Sequence, residues 1–229
     1  MRKHLRTLTV TVLLMGCGSL SLRANSMVNG SFEAPVVPVG SFENFSAGSN
    51  AITGWTVVGP QVSVVSGSFA EGCCTFPAED GVQWLDLTGD GANSVEGVQQ
   101  TVATTPGTEY TLSFWVGNVF NPGGIFGTTS TVKVYLGGIN GTLIDSATNS
   151  SMNRAVLTWQ QFSVSFTATG ASTTLDFING DPVNDNSNGL DNVVLGPSVV
   201  TTPEPASVLL LASALMVGGL AKLLLPDRA

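Results

Sequence analysis

The sequence predicts an all-β protein, an antiparallel β-sandwich placed between an N-terminal signal peptide and a C-terminal transmembrane helix. Three observations support this prediction. Apolar and polar residues alternate with a period of two in short runs, and turns rich in Gly, Asn, Pro and Ser separate these runs. No helical period occurs before residue 206. The 229 residues leave room for one domain of ordinary size with a segment at each end.

The first 26 residues, 1–26, have the pattern of a secretory signal peptide. A basic start at positions 2–6 precedes a mostly apolar run, 7–22, and the small residues 24–26 form a site that signal peptidase reads. Glycines interrupt the run, which is too short for a good membrane span. We expect cleavage after Ser26. The alternative is LMGC, Leu14–Cys17, which looks like a bacterial lipobox and would make a lipidated Cys17 the first residue.

The body, residues 27–197, consists of short runs of alternating polarity. In YTLSFWV, residues Tyr110, Leu112 and Phe114 share one face, whereas Trp115 lies on the other. Closely spaced strands of this kind are typical of a two-sheet sandwich. The nine predicted strands lie at 55–58, 62–65, 83–87, 95–102, 110–116, 132–136, 162–166, 173–178 and 190–195.

The segment 27–205 is strongly acidic. It contains 15 acidic residues, and its only basic residues are Lys133 and Arg154, which gives a net charge of −13. Such a surface repels phosphate groups, so we expect no DNA or RNA partner. The same surface suits divalent cations and favours solubility outside a cell.

The single histidine, His4, lies in the predicted signal peptide, so the exported part has none. This excludes a Ser-His-Asp or Cys-His nucleophile system and a His-ligated zinc ion. An enzyme of this sequence would depend on carboxylates, as glycosidases do. The acidic loop EGCCTFPAEDG offers Glu71, Glu79 and Asp80 for that role, although loop acids are usually solvated.

Residues 206–225 form a mostly apolar segment of about the length that crosses the hydrocarbon core of a bilayer. Lys222 lies near one end, where its side chain can reach the interface. Arg228 follows in the tail, 226–229. Because basic residues just beyond a span stay in the cytoplasm, we expect the body outside the membrane and the tail inside.

The linker 198–205 ends in Pro203-Glu204-Pro205, directly before the predicted helix and the tail with Arg228. This order of motif, helix and basic tail at the C-terminus closely resembles the PEP-CTERM sorting signal of Gram-negative bacteria that make exopolysaccharide. The tail is less basic than is usual for that signal. The resemblance implies that an exosortase in the membrane cuts near the motif and releases or transfers the protein to the cell surface.

The body contains five sequence blocks in a characteristic order: MVNGSFEAP, ITGWTVVG, DGVQWLDLTG, VEGVQQTVATTPGTEYTLSFWVGN and GLDNVVLG. Together they resemble the choice-of-anchor C family and the plant cell-wall proteins with galactose-binding-like domains. Both groups belong with the jelly-roll carbohydrate-binding modules. The resemblance therefore implies a jelly-roll sandwich of the galactose-binding-like type, but fold alone does not define function.

The resemblance also implies a structural Ca²⁺ ion that joins the first and last strands. The matching positions are Glu33 in NGSFE and Asp191 in GLDNVVL, and backbone carbonyls near Ser31 and waters would complete the six to eight oxygens that Ca²⁺ needs. Without an ion, Asp191 would cap a turn and Glu33 would be solvated. The Asn- and Asp-rich loop 179–192 lacks the final Glu of an EF-hand and lies between strands, so it predicts a turn.

The tryptophans are candidates for stacking against sugar rings. Trp55 and Trp84 lie in blocks of the family pattern, and we expect both in the core. Trp115 lies opposite the apolar face of its strand and is the candidate platform for a glycan.

Cys73 and Cys74 are the cysteines that remain after removal of the signal peptide. Export leads to an oxidising compartment, in which thiols tend to pair. A vicinal disulfide, two free thiols and bridges to another chain are equally open, because neighbouring cysteines close only a strained ring.

These features predict an exported cell-surface or extracellular-matrix protein that first exists as a precursor anchored in the inner membrane. Its expected partners are the exosortase, the membrane and exopolysaccharide, and its expected role is non-catalytic glycan binding. One alternative is a purely structural matrix protein without a specific ligand. The other is a carboxylate-dependent enzyme that acts on glycans.

Overall fold

A computed structural model describes residues 26–90, 95–182 and 185–198. Several predicted features lie outside the described residues. They are the signal peptide except for Ser26, the sorting motif Pro203–Pro205, the predicted helix 206–225 and Arg228. Within the described ranges, no helix has the length and apolar character needed to cross a bilayer.

The described chain contains thirteen β-strands. They are β1 (Phe42–Ser46), β2 (Thr56–Val58), β3 (Gln61–Ser66), β4 (Ala70–Glu71), β5 (Cys74–Thr75), β6 (Gln83–Asp86), β7 (Gly97–Ala103), β8 (Glu109–Asn118), β9 (Ser130–Leu136), β10 (Thr142–Asn149), β11 (Thr158–Thr167), β12 (Ser172–Asn179) and β13 (Gly189–Pro197).

The strands form two antiparallel sheets and one small hairpin. The large sheet has the order β1-β3-β6-β13-β8-β11, the small sheet has the order β10-β9-β12-β7-β2, and β4 pairs with β5. From β6 to β13 the chain changes sheet at every connection except that between β9 and β10. The prediction of an all-β, antiparallel fold is confirmed.

All nine predicted strands occur at their predicted positions, and β1, β4, β5 and β10 were not predicted. Strands β1 and β10 are edge strands, and each buries few side chains. A register shift between Leu143 and Asp145 further interrupts the alternation of β10. Because these edge strands bury only one or two side chains each, their sequences show little alternation and resemble loops.

The main core lies between the two sheets, where the inward side chains of both meet. Phe114 of β8 and Phe177 of β12 bring their ring centroids within 5.6 Å across the sandwich. Trp55 packs edge-on against Phe177 at 5.8 Å and donates its indole N–H to the carbonyl of Asn29. Its predicted place in the core is confirmed, since only 2% of its surface is exposed.

The outward face of the large sheet carries a second hydrophobic cluster. Its buried members are Val65, Cys74, Phe76, Trp84, Val119, Phe126 and Leu157. Trp84 is as deeply buried as predicted, but it belongs to this second cluster and not to the main core. Part of the outward face of the large sheet is therefore apolar as well, and connecting loops cover this part.

Two glycines make room for Trp159 on this outward face. Gly117 of β8 and Gly189 of β13 are register partners in the large sheet. A Cβ atom at either position would lie 2.8 Å from the indole ring of Trp159, so the ring rests directly on the sheet backbone. Trp159 in turn packs edge-on against Trp84, with ring centroids 5.8 Å apart.

Gly189→Ala should destabilise the protein, because the new methyl group would displace the ring of Trp159. We expect the free energy of unfolding to fall by about 1–3 kcal/mol, as is typical of overpacking. Gly170→Ala is the control, since its Cβ would meet no atom closer than 3.4 Å. Urea denaturation measures both variants, and equal stability of the two would contradict the close approach of Trp159.

Candidate functional site

The floor of the candidate site is a row of apolar side chains across three strands of the large sheet. The strand register places Phe42 of β1 opposite Val65 of β3, and Val65 opposite Trp84 of β6. All three face away from the main core. Val65 and Trp84 are buried beneath the outer loops, whereas Phe42 at the sheet edge is partly exposed.

A polar row lies beside the apolar one. The same register aligns Asn44, Ser63 and Asp86, and the Ser63 hydroxyl donates to Asn44 Oδ1 at 2.5 Å. Asp86 Oδ1 accepts hydrogen bonds from the backbone and hydroxyl of Thr88 at 2.9 and 2.8 Å and from the backbone N–H of Asn188 at 3.2 Å. Burial raises the pKa of Asp86 to about 7, and these hydrogen bonds oppose the rise.

The walls come from the connecting loops. We call residues 67–82 the flap; it contains the β4–β5 hairpin and contributes Phe69, Glu71 and Phe76. Phe69 lies edge-on to Phe42 at 5.4 Å, and Phe126 of a neighbouring loop lies 5.1 Å from Phe76. The result is a shallow pocket with an enclosed space of about 50 Å³ that combines aromatic walls with the carboxyl groups of Glu71 and Asp86.

Hydrogen bonds from two indoles hold the flap on the sheet. Trp84 donates its indole N–H to the carbonyl of Phe76 at 3.0 Å, and Trp159 donates to the carbonyl of Pro77 at 2.9 Å. The backbone of Thr75 also pairs with Ala155 and Leu157, both at 2.9 Å. Each indole therefore buries apolar area and fixes the loop above it.

Cys73 and Cys74 form a vicinal disulfide within the flap. Cys74 is buried in the second cluster and its Sγ lies 3.3 Å from the carbonyl oxygen of Arg154, whereas Cys73 is exposed. The cross-link restricts the turn of the hairpin that carries Glu71. It thereby stiffens one wall of the pocket.

Trp115, the glycan platform predicted from sequence, lies outside this pocket. It is half-buried on the outward face of β8, where its register partners are Gln161 of β11 and Asp191 of β13. The pocket is lined instead by Phe42 and Phe69. Their part in it depends on an unpredicted edge strand and on a loop, so alternation within one strand could not identify them.

Glu33 anchors the far end of the flap. Its Oε1 accepts the backbone N–H groups of Val82 at 2.8 Å and Gln83 at 2.9 Å. Gly81 allows this approach, because its φ is +72° and a Cβ there would lie 2.3 Å from the same oxygen. Glu33 thus accepts hydrogen bonds from the backbone at the end of the flap and is not simply solvated.

Asp191 anchors the same part of the flap from below. Its Oδ2 accepts the backbone N–H groups of Glu79 at 2.9 Å and Asp80 at 3.1 Å, and its Oδ1 accepts that of Asn192 at 2.7 Å. Burial raises the pKa of Asp191 to about 8, against the effect of these hydrogen bonds. Asp80 Oδ2 also accepts the hydroxyl of Ser31 at 2.6 Å.

The structure thus brings together the calcium pair predicted from sequence and two of the acids predicted as catalytic candidates. Their oxygens point at hydrogen-bond donors, and Glu79 Oε2 accepts the side-chain amide of Asn192 at 2.8 Å. Within the described ranges, no group of three or more His, Cys, Asp or Glu side chains is arranged to hold a metal ion. Because backbone N–H groups face both Glu33 and Asp191, the fit of this pair to Ca²⁺ is poor. Calcium there stays a prediction.

A further set of acids is buried around the β12–β13 connection, which the sequence predicted to be a simple turn. Burial raises the pKa of Asp181 to about 8, and the negative charges of Asp185 and Asp86 raise it further. Burial also raises the pKa of Asp185 to about 7. Asp176, on the small sheet, has a pKa of about 6 for the same reason.

The fold and this site define an antiparallel β-sandwich with a partly covered outer face and an aromatic, acidic pocket. A family model described as "Protein of unknown function (DUF642)" matches residues 25–197. The chain belongs to this family. The match covers nearly the same residues as the sequence blocks of the body, and no protein with a curated description matches the chain.

Several solved structures are similar to this chain. TmCBM61 in complex with β-1,4-galactotriose is 16% identical, with a TM-score of 0.46, and the match covers 76% of this chain and 99% of that one. Family 16 Carbohydrate Binding Module-2 is 23% identical, with a TM-score of 0.41 and coverage of 75% and 99%. The enzymatically active domain of tailspike protein 4 from bacteriophage CBA120 is 18% identical, with a TM-score of 0.43, and the match covers 76% of this chain but 21% of that one.

In EDTA, the protein should lose stability as the pH rises from 5 to 8. The pKa values of Asp86 and Asp191 are raised to about 7 and 8 in the folded state, from 3.8. The folded protein therefore holds more protons than the unfolded chain across this window, and the stability present below pH 3.8 is lost as pH passes the folded pKa values. We expect the free energy of unfolding to fall by at least about 2 kcal/mol.

Urea denaturation at pH 5, 6, 7 and 8 measures this fall. Asp191→Asn removes one titrating group, so its stability should fall less steeply with pH than that of the parent. A stability that rises across the window would show that these carboxyl groups are ionised in the folded protein.

Proposed function

We propose that this chain is an exported, non-catalytic protein of the cell surface or extracellular matrix and that it binds glycan in the pocket on the outward face of the large sheet. The pocket carries this proposal. Partly exposed aromatic rings at Phe42 and Phe69 can stack against the apolar face of a sugar ring. The carboxyl groups of Glu71 and Asp86 can accept hydrogen bonds from sugar hydroxyls at the ring edge.

The size and charge of the pocket limit the class of glycan that it can bind. The enclosed space is only about 50 Å³, so a sugar ring would rest against the open mouth of the pocket and not inside it. Its charged groups are Glu71 and Asp86, and the segment 27–205 has a net charge of −13. Uronic-acid polymers would be repelled, so neutral or amino sugars are the expected class.

A carboxylate-dependent enzyme has one observation in its favour. Asp86 lines the pocket with a raised pKa of about 7, and Glu71 lines the same pocket. A carboxylic acid that stays protonated near neutral pH can act as a general acid. Release of reducing ends from a neutral polysaccharide, lost in Asp86→Asn, would favour this candidate over simple binding.

The sorting signal completes the proposal. Pro203-Glu204-Pro205 precedes a segment long enough to span a bilayer, and Arg228 follows it. We propose that an exosortase cuts near the motif and that the described β-sandwich is the part released to the surface. The protein would then meet exopolysaccharide outside the cell.

Binding should depend on the two exposed aromatic rings. Phe69→Ala should weaken binding of a neutral oligosaccharide about tenfold, as expected for the loss of one stacking contact. Trp115→Ala is the matched control on the same outward face and should change the affinity less than twofold. Isothermal titration calorimetry with neutral, amino and uronic oligosaccharides measures both.

Three outcomes of this titration separate the alternatives. Loss of binding in Trp115→Ala but not in Phe69→Ala would move the glycan to the platform predicted from sequence. Tighter binding of uronic oligosaccharides would contradict the charge argument. Absence of binding across the panel would favour a purely structural matrix protein.

Mature extracellular protein should lack the residues after about position 206. The segment 206–225 is long enough to retain any uncut chain in the membrane. Mass spectrometry of the secreted protein gives its C-terminus directly, and the same spectra should show Met27 as an unlipidated N-terminus. An intact Leu223–Ala229 on secreted material would exclude cleavage near the motif.

A further inference from the structure

A second polar centre lies at the two ends of the β12–β13 connection. Asp181 follows β12, and Asn188 directly precedes β13. Neither residue lines the proposed glycan pocket. The role of this second centre therefore does not depend on glycan binding in the pocket.

Shared partners hold Asp181 and Asn188 side by side. Asp181 Oδ1 accepts the backbone N–H of Thr131 at 2.5 Å, and the side-chain amide of Asn188 donates to the carbonyl of the same residue at 2.7 Å. Both also donate to Asn179 Oδ1, Asp181 through its backbone N–H at 3.1 Å and Asn188 through its amide at 2.6 Å. Asp181, through its carboxylate and its backbone, and Asn188, through its amide, thus share the same two neighbours.

Each of these side chains also has a buried oxygen without a donor. Asp181 Oδ2 and Asn188 Oδ1 accept no hydrogen bond from any described residue. Asn188 has no exposed surface at all. A buried acceptor without a donor costs about 1–3 kcal/mol, so native proteins satisfy nearly all such atoms through protein groups, water or ions.

The electrostatic surroundings favour a cation over water. Asp185 and Asp86 lie near enough for their charges to act on Asp181. The only basic residues of the described ranges are Lys133 and Arg154. Arg154 lies over the ring of Phe120 at 5.1 Å, whereas the Lys133 side chain passes beside Gly180, where a Cβ atom would lie 3.2 Å from Lys133 Cε. Negative charge accumulates here with no basic group among the causes that shift the pKa of Asp181.

We propose that Asp181 and Asn188 hold a divalent cation of the calcium type through Asp181 Oδ2 and Asn188 Oδ1. The available donors are a carboxylate and an amide oxygen, which are the ligands of hard cations such as Ca²⁺. Backbone carbonyls and waters would complete the six to eight ligands. The negative charge of nearby Asp185 contributes to the attraction of the ion.

This location differs from the calcium pair predicted from sequence. At Glu33 and Asp191, oxygens accept backbone N–H groups, so the dipoles that surround them already offset negative charge. At Asp181 and Asn188, one oxygen of each side chain is left over. Calcium binding should therefore respond to changes at Asp181 and not to changes at Asp191.

The test compares the melting temperature of the purified protein in calcium chloride and in EDTA. Calcium at 100 times its dissociation constant should raise the melting temperature of the parent by about 5–10 °C. Asp181→Asn should lose this shift. Asp176→Asn is the matched control, because Asp176 is also buried, accepts one backbone N–H and has one oxygen without a donor, but no other acid contributes to its pKa.

Asp191→Asn tests the rival pair in the same experiment and should keep the shift. Isothermal titration calorimetry with calcium chloride measures the same binding directly, and it should be lost in Asp181→Asn but kept in Asp176→Asn; circular dichroism checks that both variants fold. The proposal is overturned by a parent that does not respond to calcium, by a full response in Asp181→Asn, or by loss of the response in Asp191→Asn alone. Calcium binding retained by a folded Asp181→Asn in the calorimetry would also overturn it.

Discussion

The large sheet carries apolar side chains on both faces of its central strands, and this constraint determines what the loops must do. Val64 and Leu85 face the main core, whereas their neighbours Val65 and Trp84 face outward and are equally buried. A sheet buried on both faces needs a second layer, which helices supply in many folds. Here the flap and its neighbouring loops form that layer. Since loops carry unpaired backbone groups, the indole N–H groups of Trp84 and Trp159 must bond to them.

A layer of loops covers the sheet unevenly and leaves gaps. These gaps differ chemically from a surface that a packed helix covers. Where the flap meets the edge strand β1, the aromatic layer remains open at Phe42 and Phe69. Beneath the same cover, acids such as Asp86 and Asp191 are buried in place of apolar side chains. Burial of a carboxylate is unfavourable unless hydrogen bonds, protons or cations compensate it. Outer-layer packing therefore creates both an accessible aromatic surface and a set of acids with raised pKa values.

The sequence predicted the inner layer well because alternation reports one buried face. All nine predicted strands are present, and Trp55 is in the main core. The outer layer was harder to predict, because VSVV in β3 and WL in β6 show apolar residues on both faces without saying what covers them. The loop 179–192 was predicted as a turn from its Asn and Asp content. Thr131 of β9 holds this loop against the sandwich through Asp181 and Asn188, and such contacts between distant residues are not visible in the sequence of the loop.

Asp191 and Asp181 show why residue type alone does not define a metal ligand. Both have pKa values raised to about 8 by burial; Asp191 lies within the last strand, whereas Asp181 is only partly exposed and lies in the connection that leads to it. Both oxygens of Asp191 accept backbone N–H groups, so its hydrogen bonds hold the turn of the flap. Asp181 uses one oxygen in this way and leaves the other buried without a donor. An acid that already has its donors acts as a structural anchor, whereas one with an unused oxygen retains a reason to bind a cation.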